Sequence, residues 1–304
     1  MNLLQKNGNF ALQDRIKAFL GFRKKRLKPA WVYISGGIIW RLLFSESGAL
    51  VGESRDDKRK RAEFFCLDSQ NGLVRWSHLS LDESWWIGIE ALHGEVLLLH
   101  GFLKPDMPEH RKIVAVDLAS GQVLWKNDDV TFWFAHGGKA YSYKTLFERR
   151  VGYAFDVKSG ELVEEFPDGL DKLDALREVL FGKGEEANMF FPNIHDPQNP
   201  DAVISNILQE QLKSHRIAGS VEYISLRGKL LFNFYEDQKK TVSDPVTLTN
   251  TFCIIDVSSG KTVFTEVLNH DVKAPVPDSF FVREDSVYFV KDHNTLTALQ
   301  PWKS

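Results

Sequence analysis

Cysteine is nearly absent, with two residues in 304, Cys66 and Cys253. Both fall inside apolar segments of different repeats, where a free thiol behaves as a small hydrophobe, so a disulfide framework is excluded. Long apolar runs are missing too. No stretch approaches the length of a membrane span, and the N-terminal residues lack the uninterrupted apolar region and small-residue cleavage site of a secretory signal. With no Asn-x-Ser/Thr acceptor either, the expected location is cytoplasmic. An excess of positive charge is also lacking: 38 basic against 41 acidic residues give −3, which removes the electrostatic basis for gripping nucleic-acid phosphates. There is no phosphate-cradling glycine loop, no nucleophile elbow, and no pair of histidines at i, i+4 spacing among the nine present. These missing motifs leave no metal or cofactor to expect.

Hydrophobic residues make up 43% of the chain, including 22 Phe and 8 Trp, enough for a large core. One pattern organises them. Four segments superimpose without gaps as Asp-x-x-(Ser/Asn)-Gly-x-x-x-(large): Asp68, Gly72 and Trp76; Asp117, Gly121 and Trp125; Asp156, Gly160 and Glu164; Asp256, Gly260 and Phe264. Each follows an apolar strand and precedes a second strand, which reads as a hairpin. The Asp carboxylate accepts hydrogen bonds from N–H groups of its own turn, and the Gly takes the φ > 0 position of a short loop. The four Asp and four Gly residues are therefore read as structural, since four identical turns cannot all be one active site. The large residue on the following strand, as at Trp76 and Trp125, fills the space between adjacent sheets.

The marker glycines are spaced by 49, 39 and 100 residues. The two short steps each match one four-stranded propeller blade. The long step holds two segments of helical apolar spacing, 171–181 and 202–215, around a proline-rich stretch at 190–200. The expected fold class is all-β: a β-propeller of about five four-stranded blades over residues 31–304, with a helical, proline-rich insertion at about 168–216. The last blade has only three strands of its own. The N-terminal strand at 31–34 is expected to pair with 295–299 and close the ring, or, in a shifted register, the strand at 38–44 does so. Residues 1–30 form a separate basic amphipathic segment in which Leu12, Ile16, Phe19 and Leu20 share a helical face. Such a segment packs on its own domain or touches an anionic membrane surface.

The stretch Val114-Ala-Val-Asp-Leu-Ala-Ser-Gly-Gln-Val-Leu-Trp125 resembles the PQQ-like repeat of quinoprotein-like β-propellers: an apolar strand, Leu-Asp, two residues, Thr-Gly, and an apolar strand ending in Trp. The overall plan, with Trp40-Arg41, Glu53-Ser-Arg-Asp56 and a helical insertion before the penultimate blade, also looks like an uncharacterised bacterial propeller family, a resemblance that implies no activity. The quinoprotein resemblance implies pyrroloquinoline quinone. The vicinal cysteine pair, the calcium site of clustered carboxylates and the eight or so blades that accompany that cofactor are missing, so no cofactor is expected and a quinone-dependent dehydrogenase is the least favoured function.

In a propeller the inner strands and the loops of one rim gather ligands. Polar and aromatic residues there supply the candidates: Glu53, Glu90 and Glu222, from three blades, as catalytic carboxylates, and Arg55, Trp86, His100, His136 and Arg283 as ligand-binding residues. Carboxylates converging on a channel would suit a glycan-active hydrolase, one as acid and another as nucleophile or base. If they are instead solvated or mutually paired, the chain is a non-enzymatic, monomeric propeller that binds an unknown protein or small ligand at a rim. This binding function is the leading expectation and the hydrolase the alternative.

Overall fold

The computed structural model describes residues 27–102, 109–147, 149–181, 189–198, 201–238, 247–276 and 278–303. Most of the basic segment at 1–30 lies outside them. The strands form five antiparallel sheets. Sheet I holds β2 (Ile38–Phe44), β3 (Ala49–Asp56), β4 (Arg61–Asp68) and β5 (Val74–Leu79), and sheet II holds β6 (Ile87–His93), β7 (Val96–Phe102), β8 (His110–Asp117) and β9 (Val123–Asn127). Sheet III holds β10 (Thr131–His136), β11 (Lys139–Leu146), β12 (Arg149–Asp156) and β13 (Leu162–Phe166). Helices α1 (Asp171–Phe181) and α2 (Ala202–Leu212) follow, with the two-residue strands β14 (Met189–Phe190) and β15 (Asn193–Ile194) between them. Sheet IV joins β15 to β16 (Glu222–Leu226), β17 (Lys229–Asp237), β18 (Leu248–Asp256) and β19 (Lys261–Val272). Sheet V runs β1 (Trp31–Ile34), β22 (Thr295–Leu299), β21 (Ser286–Lys291), β20 (Phe280–Arg283) and β14.

Middle strands such as β3, β7 and β18 are buried on both faces, so their residues do not alternate between buried and exposed and even polar ones such as Glu53 and Asn250 are enclosed. Their side chains fill the spaces between sheets. Val51, Phe64, Ile89 and Leu97 join sheet I to sheet II; Leu98, Ile113, Ala140 and Phe155 join II to III. Leu50, Phe65, Tyr288 and Leu296 join V to I, and Phe252, Ile254, Phe280 and Phe289 join IV to V.

A repeated latch sets the spacing. Trp31, Trp76 and Trp125 each stand on the last strand of one sheet and lie against the turn glycine of the next, where a Cβ on Gly72, Gly121 or Gly160 would fall 2.6, 2.9 and 2.6 Å from the indole. Each indole N–H donates to a carbonyl beside that turn: Trp31 to Ser69 at 3.1 Å, Trp76 to Leu118 at 2.9 Å and Trp125 to Val157 at 2.9 Å. The three glycines have φ of +73°, so the turn needs glycine for its backbone as well as for the contact. The motif carboxylates cap the same turns: Asp68 accepts from Gln70 N–H, Asp117 from Ser120, Asp156 from Ser159 and Asp256 from Ser259.

The fourth latch is missing, and this corrects the expected five-bladed closed ring. Glu164 stands where the other copies carry an aromatic residue, is half exposed, and nothing lies within 4 Å of where a Cβ on Gly260 would be. Among the described residues no apolar cluster joins sheet III to sheet IV. Instead α1, through Leu173, Leu176 and Leu180, and Leu170 just before it cover sheet III, and α2 covers sheet IV through Ile204 and Leu208. The N-terminal strand does pair with β22, Trp31 opposite Ala298, but this adds a strand to sheet V and closes no sheet into a ring. Sheets IV and V have five strands, not four, because the insertion contributes β15 and β14 to their edges. The arrangement is propeller-like and interrupted between its third and fourth sheets. The alternative closing strand, β2, belongs to sheet I.

Replacing either turn glycine with alanine places a side chain at positive φ, costing about 1–2 kcal/mol. Gly260→Ala is expected to lose about that much in urea unfolding, and Gly121→Ala at least twice as much, because only the latter also displaces an indole. Equal losses would show that the indole contact contributes nothing.

Candidate functional site

The inner edge of sheet II is β6, whose outward backbone groups have no strand partner among the described residues. Sheet I supplies partners from side chains. Glu53 Oε2 accepts the Ile89 N–H at 2.8 Å, Arg55 donates to the carbonyls of Trp85 (3.0 Å) and Ile87 (2.6 Å), and Arg41 donates to those of Ile89 (2.7 Å) and Glu90 (3.5 Å). Glu53 also pairs with Arg55, which neutralises a carboxylate that is only 2% exposed. Two sequence candidates, Glu53 and Arg55, are thus committed to holding the neighbouring strand.

The strand so held presents Glu90. The β6–β7 register steps between Ile89 and Ala91, leaving Glu90 as the extra residue of a β-bulge, a device that re-aims a side chain. The innermost strands of sheets I and III step at the matching place, around Trp40 and Trp133. Only sheet II has a carboxylate there. His100 of β7 and His110 of β8 converge on it: both Nδ1 atoms lie 2.9 Å from Glu90 Oε2. The His110 contact is a hydrogen bond, whereas His100 Nδ1, in a residue only 5% exposed, lies against the same oxygen without one. The two imidazoles stack with centroids 3.5 Å apart and planes 7° from parallel. Phe102 meets both edge to face and Trp86 packs on Phe102, so an aromatic wall backs the cluster.

Burial raises the Glu90 carboxyl, but the adjacent His100 and His110 outweigh it and hold its pKa below the usual carboxylate range. Burial first, and then His100, push the His110 imidazole down against the pull of Glu90. A carboxylate with two imidazoles, their ligand atoms all within 4.8 Å, is a donor set for a divalent transition metal. Two metal bonds of about 2.1 Å at roughly 90–110° end on atoms about 3.0–3.4 Å apart, close to the 2.9 Å between each Nδ1 and Glu90 Oε2; because the two rings are stacked nearly parallel, one must turn before both nitrogens direct a lone pair at the same ion.

The other candidates lie elsewhere. Glu222 is on β16, where its Oε1 accepts from Asp278 N–H at 3.3 Å; burial, then repulsion by Asp278, raises its pKa, and its buried Oε2 lacks a partner. His136 ends β10, exposed and beside His93. Arg283 of β20 lies over Phe44 and donates to the Ser45 carbonyl at 3.3 Å, in a cleft of about 730 Å³ between sheets I and V. Nothing in the local sequence marks His110 as a partner of His100; its pairing opposite Phe102, two residues along from His100, brings the two rings together. Among the described residues no helix is long and apolar enough to cross a membrane.

A family described as a domain of unknown function, DUF4905, matches residues 44–125, a stretch containing Glu53, Glu90, His100 and His110. No curated protein matches the chain. Among solved structures, the β-propeller domain of the Trilobed protease from Pyrococcus furiosus is 11% identical over 88% of this chain and 70% of that one, with a TM-score of 0.29. A member of the DUF4221 family from Bacteroides vulgatus is 9% identical over 90% and 94%, with a TM-score of 0.30. A bifunctional GH43-CE protein from Bacteroides eggerthii is 12% identical over 90% of this chain and 34% of that one, with a TM-score of 0.28. Likenesses at this level carry neither fold nor function to this chain.

Gly88 provides a direct probe of the site. A Cβ there would lie 3.1 Å from His100 Cε1 and 3.2 Å from both His100 Nε2 and Glu53 Oε2, and neither side chain is free to move. Gly88→Ala is expected to destabilise the fold by about 1–3 kcal/mol and to shift the His100 ring signals in NMR. Gly36→Ala, whose nearest contact would be 3.8 Å away, should do neither; unchanged His100 signals in Gly88→Ala would count against the packing described.

Proposed function

We propose that the protein binds one divalent transition-metal ion on Glu90, His100 and His110, and that it is a metal-dependent hydrolase. The observation that carries this reading is His100 Nδ1: a buried ring nitrogen without a hydrogen bond, 2.9 Å from a carboxylate oxygen that a second imidazole also approaches. A buried nitrogen held against a carboxylate without a hydrogen bond is incompletely satisfied, and a metal ion shared with that carboxylate would complete it. Three protein ligands leave coordination positions for water and substrate, the pattern of catalytic rather than structural zinc. A bound ion would supply Lewis acidity and an ionisable water. The chain's own part is to fix Glu90 through the β6 edge, to hold His100 and His110 against it, and to back the cluster with Phe102 and Trp86. The glycan-active hydrolase with channel carboxylates expected from the sequence draws less support in that form, because Glu53 and Glu90 already have other partners. Non-enzymatic ligand binding at a rim, supported by the cleft between sheets I and V, is the second reading.

Titration calorimetry of chelator-treated protein with Zn²⁺ tests this. One equivalent should bind, and Co²⁺ should give a visible ligand-field spectrum. Glu90→Gln and His110→Ala, both at partly exposed positions, should weaken Zn²⁺ by about 10- to 100-fold or more while the fold persists by circular dichroism. Absence of zinc uptake, or variants that bind like wild type, would overturn the proposal.

A further inference from the structure

His110 also forms one wall of a pocket of about 320 Å³ that opens beside the metal-ligand cluster. Its other walls are Phe132 and Trp133 of β10, Tyr143 of β11, Arg177 of α1, and the exposed Glu109. The walls are chemically divided. Trp133 and Tyr143 meet edge to face with centroids 4.9 Å apart, offering flat apolar surfaces. Arg177 lies over Trp133 at 5.8 Å, and Arg150 lies over Tyr143 at 4.8 Å. Among the described residues neither guanidinium has a carboxylate partner, although the surface around them is rich in acids that pair elsewhere, such as Asp128 and Asp129 with Lys112, Arg111 and Lys144. An unpaired guanidinium held over an aromatic face beside a cavity is a ready receptor for a planar anion.

We propose that this pocket binds the ring of an acidic sugar, with its carboxylate on Arg177, one ring face on the aromatic wall, and hydroxyls directed to Glu109. The volume suits one ring and not a chain, being at the low end for small-molecule sites. A neutral sugar would leave Arg177 unused, and a bare anion would leave the aromatic surfaces unused. If the neighbouring cluster holds its ion, the ligand is the substrate, and the hydrolase acts on an anionic glycan; this last step rests on the function proposed above, while the binding itself does not. The pocket also gives the insertion a role, since Arg177 comes from the helix that covers sheet III where the repeat would have placed a neighbouring sheet.

The experiment uses D-glucuronate, D-glucose and inorganic phosphate as probes, followed by ligand-observed NMR on the full chain, once chelator-treated and once with Zn²⁺. Glucuronate should bind in both states, at least tenfold more tightly than glucose or phosphate. Arg177→Ala, an exposed position, should remove that advantage while leaving the Zn²⁺ affinity unchanged. Glucuronate binding no tighter than glucose, phosphate binding as tightly as glucuronate, or an Arg177→Ala variant indistinguishable from wild type would each overturn the inference. Glucuronate binding without zinc uptake would sustain it and defeat the hydrolase reading; zinc uptake without glucuronate binding would do the reverse.

Discussion

The arrangement of the sheets depends on an indole lying against a glycine. Each Trp latch combines two requirements that only this pair meets: a turn with positive φ and no side chain, and a flat ring whose N–H reaches a carbonyl on the next sheet. The contact is specific in position because the ring must both cover the glycine and make the hydrogen bond. Apolar burial between sheets supplies most of the stabilising area, but a greasy interface alone tolerates sliding. The latch removes that freedom at three successive interfaces, V to I, I to II and II to III, whereas IV and V pack together without one.

Within that frame the candidate site is a consequence of how an inner strand satisfies its unpaired edge. The outward N–H and C=O groups of β6 would otherwise need water or a further strand. Glu53, Arg55 and Arg41 take the place of a strand, five backbone contacts from three side chains. Charged groups serve here because their hydrogen bonds are strong and their geometry is directional. The result is a rigid bulge from which Glu90 projects beside two histidines of β7 and β8. Glu53 and Arg55 are therefore positioning residues, and substitutions there would reach the metal-ligand cluster only through β6.

Much of this was legible in the repeat. The hairpins at Asp68, Asp117, Asp156 and Asp256, the strand pairs around them and the two insertion helices follow from turn chemistry and apolar spacing, which act over a few residues. The pairing of β1 with β22 was legible from counting strands. What was not legible depends on contacts between segments far apart in the chain. Glu53 could not be told from a channel carboxylate without knowing that Arg55 and the Ile89 N–H lie against it. His110 could not be joined to His100 without the register of β7 and β8 across residues 103–108. One clue was nevertheless in the sequence: Glu164 interrupts the position that holds Trp76, Trp125 and Phe264 in the other copies, and that interruption is where the expected ring opens.

Two departures from the repeat thus lead to the site, and both replace an aromatic residue with glutamate. At 164 the change removes a latch; among the described residues no apolar cluster joins sheet III to sheet IV, and sheet III is covered by α1, which carries Arg177 to the pocket. At 90 the change puts a carboxylate on a bulge where the flanking sheets have Trp40 and Trp133. An aromatic residue at either place would continue the architecture; glutamate at 164 yields a gap that a helix can fill, and glutamate at 90 yields an anion that two imidazoles can share. Trp133, retained at the third bulge, then faces the ligand pocket from the sheet next to Glu90. The repeated residues build the frame, and the candidate chemistry is concentrated where two copies of the repeat fail to be aromatic.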